Sequence, residues 1–206
     1  MEPTVHIVDD DPALRRALTR LCRAAGLTAV EHSDANGLAE KTLIRPPSCI
    51  LLDVRLADQN GLVVQEALRD AGSSVPIIFL TGYGTIPMTV RAMRGGAIEF
   101  LTKPVEESLL LDAINRAIKA DTEALDIERA RHDLAARRES LTDREHDVMA
   151  CVIGGLMNKQ IAGELGISEI TAKVHKRHVM EKMGARSLPD LVRMAEQLGI
   201  SARRRR

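Results

Sequence analysis

Val5-His6-Ile7-Val8-Asp9-Asp10-Asp11-Pro12 places an apolar run, three carboxylates and a helix start in immediate succession. Val5 to Val8 reads as a buried strand. Asp11 followed by Pro12 reads as an N-cap with proline at the first helical position. Leu14, Leu18, Leu21 and Cys22 then recur at helical spacing. The stretch is therefore one strand–loop–helix unit, with its acidic residues at the carboxyl end of the strand.

Moving outward, the unit repeats in kind. Further apolar runs lie at Leu27–Val30, Cys49–Leu52, Val75–Leu80 and Ala97–Leu101. Helical patterns separate or follow them at Leu38–Leu43, Leu62–Leu68, Ile86–Met93 and Leu109–Ile118. Asn60-Gly61, Ala71-Gly72 and Gly95-Gly96 punctuate the boundaries. Strands alternating with helices imply a parallel sheet covered on both faces, and right-handed crossovers make it doubly wound. An α/β domain is expected over residues 1–120.

Residues 121–139 change character: charged, free of Gly and Pro, and rich in Ala, Glu and Arg, a composition that favours helix. Ile118 with Leu125, and Ile127 with Leu134, are seven apart. A coiled-coil seam and a solvated connecting helix both fit. From Ser140 strand-like runs stop. Helical stretches follow at Asp143–Ile153, Lys159–Leu165, Glu169–Met183 and Leu188–Leu198, giving a small all-α domain over 140–206.

Composition narrows the classes. Hydrophobic residues make up 45% and charged residues 28%, as in globular proteins. Phe79, Phe100 and Tyr83 are the whole aromatic set, too few for a base-stacking platform. No run approaches the roughly 18 apolar residues that cross a bilayer. The first residues lack the pattern of a signal peptide, so the expected location is cytoplasmic, with no membrane partner. Cys22, Cys49 and Cys151 are read as buried thiols in a reducing compartment. The net charge is zero, yet Ser140–Arg206 holds 12 Lys/Arg and 8 Asp/Glu, leaving 17 basic and 21 acidic residues before it. An acidic part joined to a basic part suggests separate partners.

In an open parallel sheet, functional groups converge beyond the carboxyl ends of the strands. That edge collects Asp9 and Asp10 after the first strand, Asp53 after the third, Thr81 after the fourth and Lys103 after the fifth. Clustered carboxylates call for a cation, and Mg²⁺ with oxygen ligands suits them. An ion, an ammonium and a hydroxyl together can neutralise a phosphoryl group carried by a carboxylate.

Val8-Asp9-Asp10-Asp11, Leu51-Leu52-Asp53, Leu80-Thr81-Gly82 and Thr102-Lys103-Pro104 resemble the receiver domain of bacterial response regulators. The resemblance implies a flavodoxin-like, five-stranded fold with Asp53 as phosphoacceptor. It implies Asp9, Asp10, Asp53 and the backbone carbonyl of Arg55 around the metal. Thr81 and Lys103 would contact the phosphoryl group, Phe100 would be the aromatic switch residue, and Lys103-Pro104 would be cis. Ala57, Tyr83 and Thr85 depart from residues common in the family, which bears on loop conformation and phosphate lifetime.

Lys159-Gln160-Ile161-Ala162 through Ile167-Ser168 reads as helix, tight turn, capped helix. Lys173, Lys176 and Arg177 share a face of the second helix, and Ile170, Val174, Val179 and Met183 are expected to pack. His175 and His178, three apart with no cysteine partner, are read as packing or backbone contacts rather than metal ligands. Leu141-Thr142-Asp143-Arg144-Glu145 and Thr171-Ala172-Lys173-Val174-His175 resemble the LuxR-type helix-turn-helix of the NarL/FixJ class. The resemblance implies double-stranded promoter DNA as partner, with Lys173, Val174 and Arg177 facing bases and Lys159 and Lys176 near the backbone. Glu145 is read as structural, and Arg203–Arg206 as a disordered tail.

Together the resemblances imply a transcription regulator, not an enzyme. A sensor histidine kinase would phosphorylate Asp53. A homodimer would form about the Ile86–Leu101 face, and RNA polymerase would respond. Two other readings remain: a phosphohydrolase with an aspartyl-phosphate intermediate, and a constitutive DNA-binding protein whose first domain is a scaffold.

Overall fold

The protein is described from a computed structural model, covering residues 2–36, 38 and 46–203. It divides into two compact units, Met1–Asp126 and Ile127–Arg206.

The first unit holds β1 (Thr4–Val8), α1 (Pro12–Ala24), β2 (Thr28–His32), β3 (Ser48–Leu52), α2 (Gly61–Asp70), β4 (Ile77–Thr81), α3 (Ile86–Arg94) and β5 (Glu99–Thr102). The strands form one parallel sheet in the order β2-β1-β3-β4-β5. Order reverses beside β1, so a crevice opens there at the carboxyl ends. Central β3 and β4 are buried throughout, as continuous apolar strands covered on both faces must be. One face packs Ile50, Leu52, Phe79, Leu62 and Leu68. The other packs Ile7, Leu51, Ile78, Leu110 and Ile114. Each such aliphatic side chain contributes roughly 1.5–3 kcal/mol on burial. The expected Leu38–Leu43 helix lies, apart from Leu38, outside the described residues.

Helix α4 runs without a break from Glu107 to Glu139. The separate Leu109–Ile118 helix and the charged stretch after it are thus one element, since nothing between them breaks a helix. The heptad spacing does not mark a seam. Ile118 belongs to the first core and Leu134 to the second, while Ile127 is 71% exposed. Buried Asp121 accepts the Ser48 N–H at 2.7 Å, fixing this helix against the start of β3.

The second unit contains α5 (Asp143–Ile153), α6 (Asn158–Leu165), α7 (Glu169–Met183) and α8 (Leu188–Gln197). Val148, Met149, Ile161, Ala172, Val179, Met183 and Leu191 form its core. Gly166, at φ +64°, closes α6 in the left-handed conformation, and Ser168 caps α7 by accepting the Thr171 N–H. The expected disorder of the tail does not extend to Arg203. Its N–H bonds the Ala150 carbonyl at 2.8 Å, and its guanidinium faces Asp147 and Glu164. Two carboxylates and a carbonyl near the end of α5 hold a chain that charge counting alone releases.

Candidate functional site

The loop after β1 is shaped by its own aspartates. Asp11 caps α1, accepting from Ala13 N–H at 2.8 Å and Leu14 N–H at 3.3 Å. Asp9 accepts the Asp11 N–H at 2.9 Å, which turns its second oxygen into the crevice. Across the crevice, Asp53 follows β3 and accepts the Arg55 N–H at 3.1 Å. Gly61, at the start of α2, lies so close that a Cβ there would collide with the Asp53 carbonyl oxygen. Only glycine lets that helix approach the loop.

Lys103, beyond β5, joins the two sides. Its Nζ donates to Asp9 Oδ2 and Asp53 Oδ2, each at 2.6 Å. Burial works to lower its pKa, but hydrogen bonds and attraction from Asp53 and Asp9 outweigh this and hold it above the ordinary lysine value. Asp9 and Asp53 are 3% and 8% exposed, whereas Asp10 is open to solvent. One carboxylate oxygen from each of the three lies within 4.8 Å of the others. This hard-oxygen set suits an ion such as Mg²⁺, with Asp10 on the accessible side.

Thr81 is 1% exposed at the end of β4 and accepts the Tyr83 N–H at 3.4 Å. Phe100, half-buried on β5, packs against Phe79 with ring centroids 5.9 Å apart. The Lys103–Pro104 bond is cis. The Arg55 carbonyl sits in the loop whose N–H steadies Asp53. Sequence reasoning missed what the Arg55 side chain does: its guanidinium stacks over Tyr83, across the crevice. Arg55 and Tyr83 each lie two residues past a pocket residue, the one signal that could have paired them.

In the second unit, Lys159, Lys173, Val174 and Arg177 are exposed and Lys176 is half-buried. Arg177 pairs with Glu181 at 3.0 Å. Two apolar residues depart from expectation. Ile170 is 78% exposed and Val174 is also exposed, so neither packs in the core. They occupy the outward face beside Lys173, because the inner face of α7 is filled by Ala172, Val179 and Met183.

Glu145 is buried and structural. It completes a capping box with Thr142 and accepts Lys182 Nζ at 2.7 Å. Burial alone would raise its pKa, but Lys182 and the Thr142 N–H hold it down at about 2.

A doubly wound domain with an acidic crevice bridged by lysine, linked to a helix-turn-helix, defines a signal-responsive DNA-binding protein. Residues 5–115 match the response regulator receiver domain, and residues 139–195 match the bacterial regulatory proteins of the luxR family. The chain is 48% identical to nodulation protein W of Bradyrhizobium diazoefficiens, covering 96% of this chain and 87% of that one. It is 37% identical to the transcriptional regulatory protein FixJ of Azorhizobium caulinodans, covering 96% and 93%. The solved structure of response regulator StyR superposes with TM-score 0.87 at 43% identity, covering 96% of this chain and 100% of that one. The chain belongs to the two-component response regulators of the NarL/FixJ type. It is a transcription regulator of a two-component system and not an enzyme. Its class works with a kinase and with DNA, and receiver domains generally take Mg²⁺ at this pocket. Among the described residues, no helix is long and apolar enough to cross a membrane.

Proposed function

We propose that Asp53 is the phosphoacceptor and that its phosphorylation by a sensor histidine kinase drives promoter binding. The observation that carries this is Lys103 Nζ at 2.6 Å from both Asp9 and Asp53. A carboxylate oxygen of Asp53 attacks the phosphorus of a phosphohistidine. The P–N bond breaks, the imidazole leaves, and an acyl phosphate remains. Mg²⁺, held by Asp9, Asp10, Asp53 and the Arg55 carbonyl, would supply positive charge to the phosphoryl oxygens. Lys103 then turns from a carboxylate bridge into a phosphoryl partner. Thr81 donates its hydroxyl, and Phe100 follows it inward.

This division of labour assigns phosphoryl sensing to residues 1–120, connection to 121–139 and DNA binding to 140–206. Exposed Ile86, Val90 and Met93 along α3 support a homodimer of the phosphorylated form through that face. Two copies of α7 would then present Lys173, Val174 and Arg177 to paired half-sites, with Lys159 and Lys176 toward the backbone. RNA polymerase is the expected downstream partner.

The test is incubation with acetyl phosphate and Mg²⁺, followed by mass mapping, oligomer sizing and DNA affinity at fixed salt. One added phosphoryl group on Asp53, a larger species and tighter promoter binding are expected. Regulated DNA binding that persists in Asp53→Ala overturns the proposal.

A further inference from the structure

The histidines of α7 do not stand alone, because the fold brings Glu145 of α5 to them. One ligating atom from each of Glu145, His175 and His178 lies within 4.8 Å of the other two. His178 Nδ1 is 3.6 Å from Glu145 Oε1. For metal bonds of about 2.1 Å, a tetrahedral site has ligand–ligand edges of about 3.4 Å, so this edge is nearly at its metal-bound length. His175 Nδ1 is sealed from solvent with no hydrogen-bond partner among the described residues. A buried ring nitrogen left so is costly, and in the tautomer protonated at Nε2 its lone pair is available to a cation.

The carboxylate is already divided between tasks. Glu145 Oε2 accepts the Thr142 N–H at 2.8 Å and Lys182 Nζ at 2.7 Å. Oε1 faces His178. The structural hydrogen bonds and a metal bond therefore use different oxygens of one side chain.

We propose that Glu145, His175 and His178 form a binding site for a divalent transition metal of the zinc class, separate from the acidic crevice of the receiver. Two imidazoles and one carboxylate suit zinc and leave a fourth position for water. Hard-cation chemistry is disfavoured, because Mg²⁺ prefers oxygen donors. Bound there, the ion ties the DNA-reading helix α7 to α5. Lys182 opposes it with a like charge, so occupancy follows the free metal concentration rather than being permanent.

The experiment is equilibrium dialysis of Zn²⁺ against the full-length protein, with excess Mg²⁺ present to hold the receiver pocket. His178→Asn is compared in parallel, its fold checked by circular dichroism. The wild type binds one more Zn²⁺ than His178→Asn. Lys182→Met, which removes the opposing charge, binds Zn²⁺ severalfold more tightly than wild type. Co²⁺ in place of Zn²⁺ gives visible absorption typical of low coordination in the wild type, and that absorption disappears in His178→Asn. Equal Zn²⁺ stoichiometry in wild type and a folded His178→Asn overturns the proposal, as does a Co²⁺ spectrum that the substitution leaves unchanged.

Discussion

The guanidinium of Arg55 lies 4.3 Å from the centroid of the Tyr83 ring, closing a bridge between the loop after Asp53 and the loop after Thr81. Each partner is tied to the pocket through its backbone, Arg55 N–H to Asp53 and Tyr83 N–H to Thr81. An exposed cation–π pair is worth about 0.5–1 kcal/mol. If the bridge hinders water on its way to an acyl phosphate at Asp53, its loss accelerates hydrolysis by about two- to fivefold. Tyr83→Ala is expected to show that gain in the decay of the phosphorylated protein, while Tyr83→Phe, which keeps the ring, stays near wild type. Equal decay in all three removes the bridge from the account.

Lys103 is the counter-charge to two nearly buried carboxylates. In Lys103→Met, Asp9 and Asp53 face each other without it, and a divalent ion becomes their main source of positive charge. The melting temperature in EDTA should fall relative to wild type. Added Mg²⁺ should raise it by more than it raises the wild type. Phosphorylation by acetyl phosphate should slow in the same variant. An identical Mg²⁺ shift in both proteins would show that Lys103 and the ion do not share these carboxylates.

Asp121 accepts a buried backbone N–H at 2.7 Å. Asp121→Ala strands the Ser48 donor and should destabilise the first unit by about 1–3 kcal/mol in urea unfolding. Asp121→Asn retains an acceptor oxygen and should recover part of the loss. A neutral Asp121→Ala would mean that another acceptor reaches Ser48.

The Cys22 thiol is buried, and burial pushes its pKa up to about 11, against a smaller lowering effect of its backbone hydrogen bond. Below that value the thiol is neutral, and only the thiolate attacks alkylating agents. Iodoacetamide at pH 8 should leave Cys22 unmodified in the native protein and label it quickly in guanidinium. Rapid native labelling at that pH would contradict the burial of Cys22, on α1, in the same core as Ile7 and Leu51.

Lys159 and Lys173 should separate by the kind of loss they cause. Lys159→Ala is expected to weaken promoter and random DNA alike and to reduce the salt slope by about one. Lys173→Ala, on the outward face of α7, should reduce the preference for the promoter over random DNA by about 1–3 kcal/mol. If the two variants lose the same contacts, their salt slopes and selectivities will coincide.

Much of the first unit was legible because its physics is local. Alternating apolar and amphipathic runs fix a parallel sheet, and a parallel sheet sends the residues after each strand to one edge. Asp9 and Asp53 accordingly lie against Lys103, and Thr81 ends the neighbouring strand β4. What escaped depended on contacts between distant exposed or half-exposed groups. No periodicity signals that Arg55 will stack on Tyr83, or that Glu145 will stand beside His178. Ile170 misled for a different reason: apolarity marks a core face only where another surface covers it, and among the described residues none covers Ile170 on the outward face of α7. Arg203 misled because a run of arginines looks the same whether or not acceptors await its first member.

The seams of the second core bear on how this protein can be divided for study. Leu134 is buried in that core, and Arg137 Nη1 bonds the Met183 carbonyl at 3.2 Å where α7 ends. At the other end, Arg203 is fastened to Ala150 and its carbonyl oxygen lies against Gly154. A promoter-binding fragment trimmed to residues 139–195 would forfeit both fastenings. One running from before Leu134 through Arg203 keeps its hydrophobic closure and is the piece that should survive excision.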